Sequence, residues 1–340
     1  NTAGWAGLSF GTTYTGLKTD ADDTTEFNID TDTHAAAAQQ VISESYQFKG
    51  VTSPVQIGTP ADVYGGISKV GNSTRENEIT VSSGSYTNAY GGHTDGTGTA
   101  KDDKYNSYKN KITISGATTS VTGTVYGGYT TSVNGTDKGA ATQNEVNVTG
   151  GTVNNVVGGS SAGDATKNTV TIGAAVTGDV TGGVSTAGAA SDNTINLRAN
   201  VAGNVTGGQG TATNDNKVNL EGITVGGIIS AGNNATSGNT LTVKGANTAG
   251  NITGFQNLTF NVESATAAPM LTINGATTLD WNAIHPTEQK TGRIVLLQSN
   301  AGPTGLTFPN YLGARTDADE TTEFNIDTDT HGGAAQQVIS

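Results

Sequence analysis

Residues 168–208 read NTVTIGAAVTGDVTGGVSTAGAASDNTINLRANVAGNVTGG. One pattern runs through this stretch twice. Asn168-Thr-Val-Thr-Ile172 returns as Asn193-Thr-Ile-Asn-Leu197, Val176-Thr-Gly-Asp-Val180 returns as Val201-Ala-Gly-Asn-Val205, and Gly182-Gly183 returns as Gly207-Gly208. Apolar residues alternate with polar ones over short runs rich in β-branched side chains, which is the mark of a strand with one face buried. A helix needs a 3.6-residue period and a longer run than these glycine-bounded segments allow.

The same pattern extends in both directions. The element Asn-x-φ-x-φ, with φ apolar, begins at Asn77, Asn110, Asn144, Asn168, Asn193, Asn216 and Asn239, and Gln256-Asn-Leu-Thr-Phe260 closes the series. Glycine pairs stand at 65–66, 91–92, 127–128, 158–159, 182–183 and 207–208. Two residues before each pair is a small apolar residue: Val63, Ala89, Val125, Val156, Val180 and Val205. That column is read as continuing through Ile228 and Ile252, where the glycines degenerate. The later coils repeat every 23–25 residues, and three early ones carry insertions.

Two strands and a turn repeated at about 24 residues specify an all-β chain: a right-handed parallel β-helix, or β-solenoid, of about eight coils. Equivalent residues then stack at about 4.8 Å, giving a rod about 40 Å long. The Val and Ile columns become the core. The glycine pair is read as the turn, because glycine accepts positive φ. The Asn column has two readings: a ladder of side-chain amides bonded from coil to coil, or a residue that starts a turn.

Composition agrees with a stacked architecture. Of 340 residues, 49 are Gly, 33% are hydrophobic and 13% are charged. So thin an apolar content barely offsets chain entropy in an ordinary globule, but a solenoid buries each coil against the next. The net charge is −13 with only 16 basic residues, which excludes the basic stripe a nucleic-acid partner needs. There is no Cys. No apolar run is long enough to make a membrane-spanning segment. The first residue is Asn rather than Met, so a mature or excised fragment is expected.

A second, longer repeat encloses the first. Residues 14–43, YTGLKTDADDTTEFNIDTDTHAAAAQQVIS, return at 311–340 as YLGARTDADETTEFNIDTDTHGGAAQQVIS, an offset of 297. Upstream, Ala3-Gly4 and Gly7-Leu-Ser-Phe10 match Ala301-Gly302 and Gly305-Leu-Thr-Phe308. The expected organisation is a junction or cap at 1–50, the solenoid at 51–262, a C-terminal β cap at 263–298, and the start of a next module at 299–340. Trp5, Phe10, Phe27, Phe48, Trp281 and Pro286 enrich the segments read as caps. A tandem array or filament of modules follows; an internal duplication within a discrete protein is the other reading.

Val125-Tyr-Gly-Gly128, Val156-Val-Gly-Gly159 and Asn168-Thr-Val-Thr-Ile172 resemble the glycine-rich repeats of autotransporter adhesin passenger domains. Asn251–Val262, Met270-Leu-Thr-Ile273 and Gly292-Arg-Ile-Val-Leu-Leu297 are similar to the closing region of such passengers. The resemblance spans about residues 55–300. It implies export by a diderm bacterium, extracellular display at the cell surface, and adhesion. In that family the closing region leads to a membrane β-barrel; here it leads to another module start.

Candidate chemistry is sparse. Asp30-Thr-Asp32 places two carboxylates on one strand face, and with Asp20 and Asp22 nearby it can hold Ca²⁺. The competing reading is an acidic edge strand that discourages sideways pairing, and the adjacent His34 is a poor Ca²⁺ ligand. No other cofactor is expected. Polysaccharide cleavage needs paired carboxylates, or carboxylates with a metal and a base, on one face, and Glu78, Glu145 and Asp179 are read as falling at different coil positions, so a non-enzyme is expected. The insertions carry His93, Tyr105, Tyr108 and Tyr129 as candidate ligand residues. Tyr64, Tyr90 and Tyr126 share a column, where they can stack on sugars or proteins, or on each other. The expected function is a structural or adhesive stalk, with further copies end to end and surface glycans or proteins as partners. The alternative is a discrete secreted carbohydrate-binding or polysaccharide-cleaving β-helix.

Overall fold

The computed structural model describes residues 62–68, 73–95, 105–133, 137–280, 283–285, 294–302 and 305–307, and the backbone alone of 17–19, 26–34, 37–42, 48–49, 55–58, 61, 134, 286, 326–331 and 334–339. The chain is a parallel β-solenoid. Its first face is a nine-stranded sheet running from Glu78–Val81 to Ile284–Pro286. The Asn-x-φ-x-φ elements stack on this face in one register: Ile79, Ile112, Val146, Val170, Ile195, Val218, Leu241 and Leu258 lie over one another. The second face carries the glycine pairs and is also nine-stranded, its first strand, Val55–Gly58, running antiparallel to Ala61–Ser68. A third, narrow face begins as Phe48–Lys49, Thr74–Arg75, Ser107–Tyr108 and Ala141–Thr142.

The core is a set of columns. Two come from the Asn face. A third runs through Val121, Val153, Val176, Val201 and Val225, and a fourth through Val125, Val156, Val180 and Val205. All of these residues are buried. Each removes a branched side chain from water, worth about 1.5–3 kcal/mol, so stacking replaces the deep centre of a globule. Toward the C-terminal end the columns widen to Leu258, Phe260, Met270, Leu296 and Leu297, all buried.

Three expectations are corrected. The glycine pairs do not turn the chain. They lie inside strands such as Thr152–Ser161 and Val180–Ser185, and none of the six pairs has positive φ. They serve close approach instead: a Cβ on Gly158 would fall on the carbonyl oxygen of Gly182 and 2.9 Å from Asn168 Cβ, and one on Gly159 would lie 2.6 Å from Asn168 Nδ2. The corner is made by the residue before each Asn, which takes the left-handed conformation: Glu76, Lys109, Gln143, Lys167, Asp192, Asp215 and Gly238, with φ of 54–70°.

The fourth column passes through Ile229 rather than Ile228. Val205 pairs with Ile229 and Ile229 with Ile252, while Ile228 is 44% exposed. Ala231-Gly232, not Gly226-Gly227, stacks on Gly207-Gly208. Parallel stacking also continues past Val262. Leu258 pairs with Ile284, Leu271 with Leu297 and Thr277 with Leu306, so the segment read as a cap supplies further coil.

Candidate functional site

The seven predicted Asn residues form a ladder sealed inside the corner where the first and third faces meet. Asn77 Nδ2 donates to Asn110 Oδ1 at 2.7 Å, Asn110 to Asn144 at 3.1 Å, Asn144 to Asn168 at 3.0 Å, Asn168 to Asn193 at 3.1 Å and Asn193 to Asn216 at 3.2 Å. The same oxygens accept the backbone N–H of the preceding Asn, as in Asn168 N to Asn193 Oδ1 at 3.0 Å. Nδ2 also donates backward, Asn168 to the Ala141 carbonyl at 3.0 Å. Asn216 reaches Asn239 through its backbone N–H alone, and Asn239 Nδ2 ends the ladder on Gln256 Oε1 at 2.9 Å. All seven are at most 1% exposed. A buried amide this well partnered stabilises, whereas an unpartnered one costs its desolvation. The column is thus structural and presents nothing to a ligand.

The outer surface of the glycine face carries the most chemistry-rich cluster among the described residues. Tyr64 and Tyr90 stack at 4.9 Å between ring centroids, Tyr90 and Tyr126 at 5.1 Å, with planes within 7°. His93 stacks on Tyr90 at 4.7 Å, and Tyr129 meets His93 and Tyr126 edge-on at 4.9 and 5.0 Å. The coil spacing sets these distances, since Tyr64, Tyr90 and Tyr126 occupy one register position. Tyr64 and Tyr90 are 6% and 7% exposed, so their faces are spent on each other; Tyr126 and Tyr129 are half-buried and present ring surface outward.

Burial first, and then Asp62, whose carboxylate accepts the Tyr64 hydroxyl at 3.2 Å, push the Tyr64 phenol well above the ordinary tyrosine range. Burial and Asp62 do the same to Tyr90. Burial, then Tyr126 and Asp95, raise Tyr129.

The other candidates scatter. Tyr105 is 3% exposed in a left-handed backbone, and its carbonyl accepts the Thr130 hydroxyl at 2.8 Å. Tyr108 lies on the narrow face, where its hydroxyl accepts from Arg75 Nη1 at 3.0 Å. His93, Tyr108 and Tyr129 therefore sit on strands rather than in loops. Asp20 and Asp22 lie outside the described residues. Asp30 and Asp32 are on the strand Glu26–His34, opposite Val41 and Gln39. Among the described residues, no group of three or more His, Cys, Asp or Glu is placed to hold a metal ion. Glu78 and Glu145 share one column with Lys111 between them, correcting the expectation that they fall at different coil positions. Lys111 Nζ lies 2.9 Å from Glu78 Oε1; hydrogen bonding to Glu78, with Glu145 adding to it, raises the Lys111 pKa. The pair is exposed and contributes little to stability.

Two polar columns escaped the sequence reading. Ser68, Thr94, Thr130, Ser161 and Ser185 each follow a glycine pair by two positions and are buried, their signal being a GGx[ST] motif. Asp62, Asn88, Asn155, Asp179 and Asn204 precede the fourth apolar column and staple the outer corner from one coil to the next. Asn88 N donates to Asp62 Oδ1 at 2.9 Å, Asp179 N to Asn155 Oδ1 at 2.8 Å, and Asn204 N to Asp179 Oδ1 at 2.7 Å. Asp179 and Asn204 also line a shallow polar groove with Thr206, Gln209 and Thr253. No helix among the described residues is long and apolar enough to cross a membrane. No family model, curated protein or solved structure matches the chain.

Proposed function

We propose that this chain is a non-enzymatic structural and adhesive module of an extracellular filament or stalk, displayed at a diderm bacterial surface. The observation that carries the reading is the 297-residue duplication, whose second copy folds back as strands onto the C-terminal part of the solenoid. A coil stack with a repeated segment at its end suits a rod that continues into another rod. The autotransporter-like repeats support display at a surface. Negative-stain microscopy of native material tests this: continuous fibres with a regular axial repeat are expected, and isolated single rods would sink it.

A second reading rests on Tyr126 and Tyr129, whose half-exposed rings can stack on a sugar face. It expects glycan binding that falls at least tenfold in Tyr129→Ala while the melting curve stays cooperative. Equal glycan binding by both proteins would remove it.

A further inference from the structure

Two segments of the chain make the same hairpin. Residues 14–43 and 311–340 are identical at 24 of 30 positions, and the strands themselves do not differ: 26–34 matches 323–331 and 37–42 matches 334–339 throughout. The residues between the strands differ in sequence, Ala35-Ala36 against Gly332-Gly333. The registers agree as well. Asp30 faces Val41 and Asp32 faces Gln39 in one copy; Asp327 faces Val338 and Asp329 faces Gln336 in the other.

Their surroundings differ. Ala334–Ile339 pairs antiparallel with Ile294–Ser299, setting Val338 across from Val295, Gln336 across from Gln298 and Ala335 across from Ser299. Ile294–Ser299 is the last parallel strand of its sheet, after Asn247–Ala249 and Leu271–Ile273. The C-terminal hairpin therefore closes an edge that would otherwise invite another strand. In the N-terminal hairpin, Glu26–His34 is flanked by Leu17–Thr19 on its far side. Among the described residues, no strand pairs with the outer edge of Ala37–Ile42, the counterpart of the docked strand.

We infer that Ala37–Ile42 adds antiparallel to Ile294–Ser299 of a second copy of this chain, with Gln39 across from Gln298 and Val41 across from Val295. This rests on the filament reading and specifies its junction. Two segments with the same sequence and hairpin register offer the same backbone donors and acceptors to the same edge, and strand addition draws its affinity from those groups. The contact is head-to-tail, so it propagates rather than closing into a dimer. A chain's own C-terminal hairpin competes for the edge at an effective concentration of about millimolar. The junction therefore forms when that hairpin is released.

The chain has no cysteine, so introduced pairs report cleanly. The full chain carrying Gln39→Cys and Gln298→Cys, with Gln336→Pro and Gln337→Pro to free the edge, is oxidised mildly. A ladder of disulfide-linked multimers is expected on a non-reducing gel, at least tenfold stronger than without the prolines. Ala38→Pro with Gln40→Pro should abolish it. No 39–298 crosslink in a variant that still melts cooperatively would overturn the inference, as would multimers indifferent to the N-terminal prolines. Should the prolines at 336 and 337 unfold the chain, the cysteine pair is followed in the unbroken hairpin at rising protein concentration, with Gln298→Cys/Gln336→Cys as the intrachain control. Crosslinking between copies that grows with concentration supports the junction, and its absence while the control closes fully overturns it. Fibres in native material without the 39–298 crosslink would remove this junction and leave the filament reading standing.

Discussion

One carboxamide per coil does three things at the buried corner. Asn168 accepts from Asn144, donates to Asn193 and donates back to the Ala141 carbonyl. Asn168→Ala leaves the Asn144 amide and the Ala141 carbonyl without those partners in a dry site, at about 1–3 kcal/mol for each orphaned group. A loss of about 3–5 kcal/mol is expected in urea unfolding. The glycines opposite make an equally sharp test. Gly158→Ala drives a methyl into the Gly182 carbonyl and should cost about 2–3 kcal/mol, whereas Gly173→Ala meets nothing nearer than 3.3 Å and should melt within a degree or two of the parent. A third substitution should stabilise. Lys167 sits at φ 59°, where an L side chain costs about 1–2 kcal/mol, so Lys167→Gly should gain up to about 1 kcal/mol after glycine's larger unfolded-state entropy is subtracted. The Asn column was legible because one residue type repeats at one position. The left-handed column was not, because Glu, Lys, Gln and Asp fill six of its seven positions and none of them announces positive φ.

At the scale of the strand, the periodic pattern gave the Asn face its register correctly, because a one-residue slip there would turn every apolar side chain outward. It misassigned the glycine pairs, because a Gly-Gly reads equally as a bend or as two backbones in contact, and only the stacked neighbour decides. It slipped by one at Ile228 for the same reason, since the column had lost its glycines and Ile228-Ile229 offers two apolar choices. The tyrosine column was legible as a column; the addition of His93 and Tyr129 to it was not, since those rings arrive from the position after the glycines. The stack has a pH signature. Burial raises the Tyr64 and Tyr90 phenols above their unfolded value near 10. A raised folded pKa means that the native state keeps protons the unfolded state releases. The stability tied to these groups is then whole below about pH 10 and is lost as pH climbs beyond it. Absorbance titration at 295 nm should show these tyrosines ionising together with unfolding. Smooth titration of all ten tyrosines near pH 10, with the fold intact, would contradict the stack.

For the molecule as a whole, each coil touches mainly its two neighbours, so stability is close to a sum of coil and interface contributions. Both nine-stranded faces share one axis, and solution scattering should report a rod with a stacked core about 40 Å long. The end of the stack was the least legible part. The segment expected as a cap, 263–298, abandons the Asn and Gly signatures, yet its described strands still pair in parallel. The Asn ladder, finally, gives the rod a direction. Each Asn along it sends its backbone N–H and one Nδ2 hydrogen toward the following coil and the other Nδ2 hydrogen back, while its Oδ1 accepts from the preceding coil. A coil laid down on the N-terminal side finds an acceptor waiting for two of its three Asn N–H groups and leaves one N–H and the Oδ1 oxygen open. One laid down on the C-terminal side leaves two N–H groups with no acceptor yet, and orphaned donors are the rarer condition in native interiors. The solenoid is in that sense a one-way zipper. It grows most cheaply from its leucine- and phenylalanine-filled C-terminal end and frays from the other. Hydrogen-exchange protection should fall steadily from Leu258 back toward Ile79.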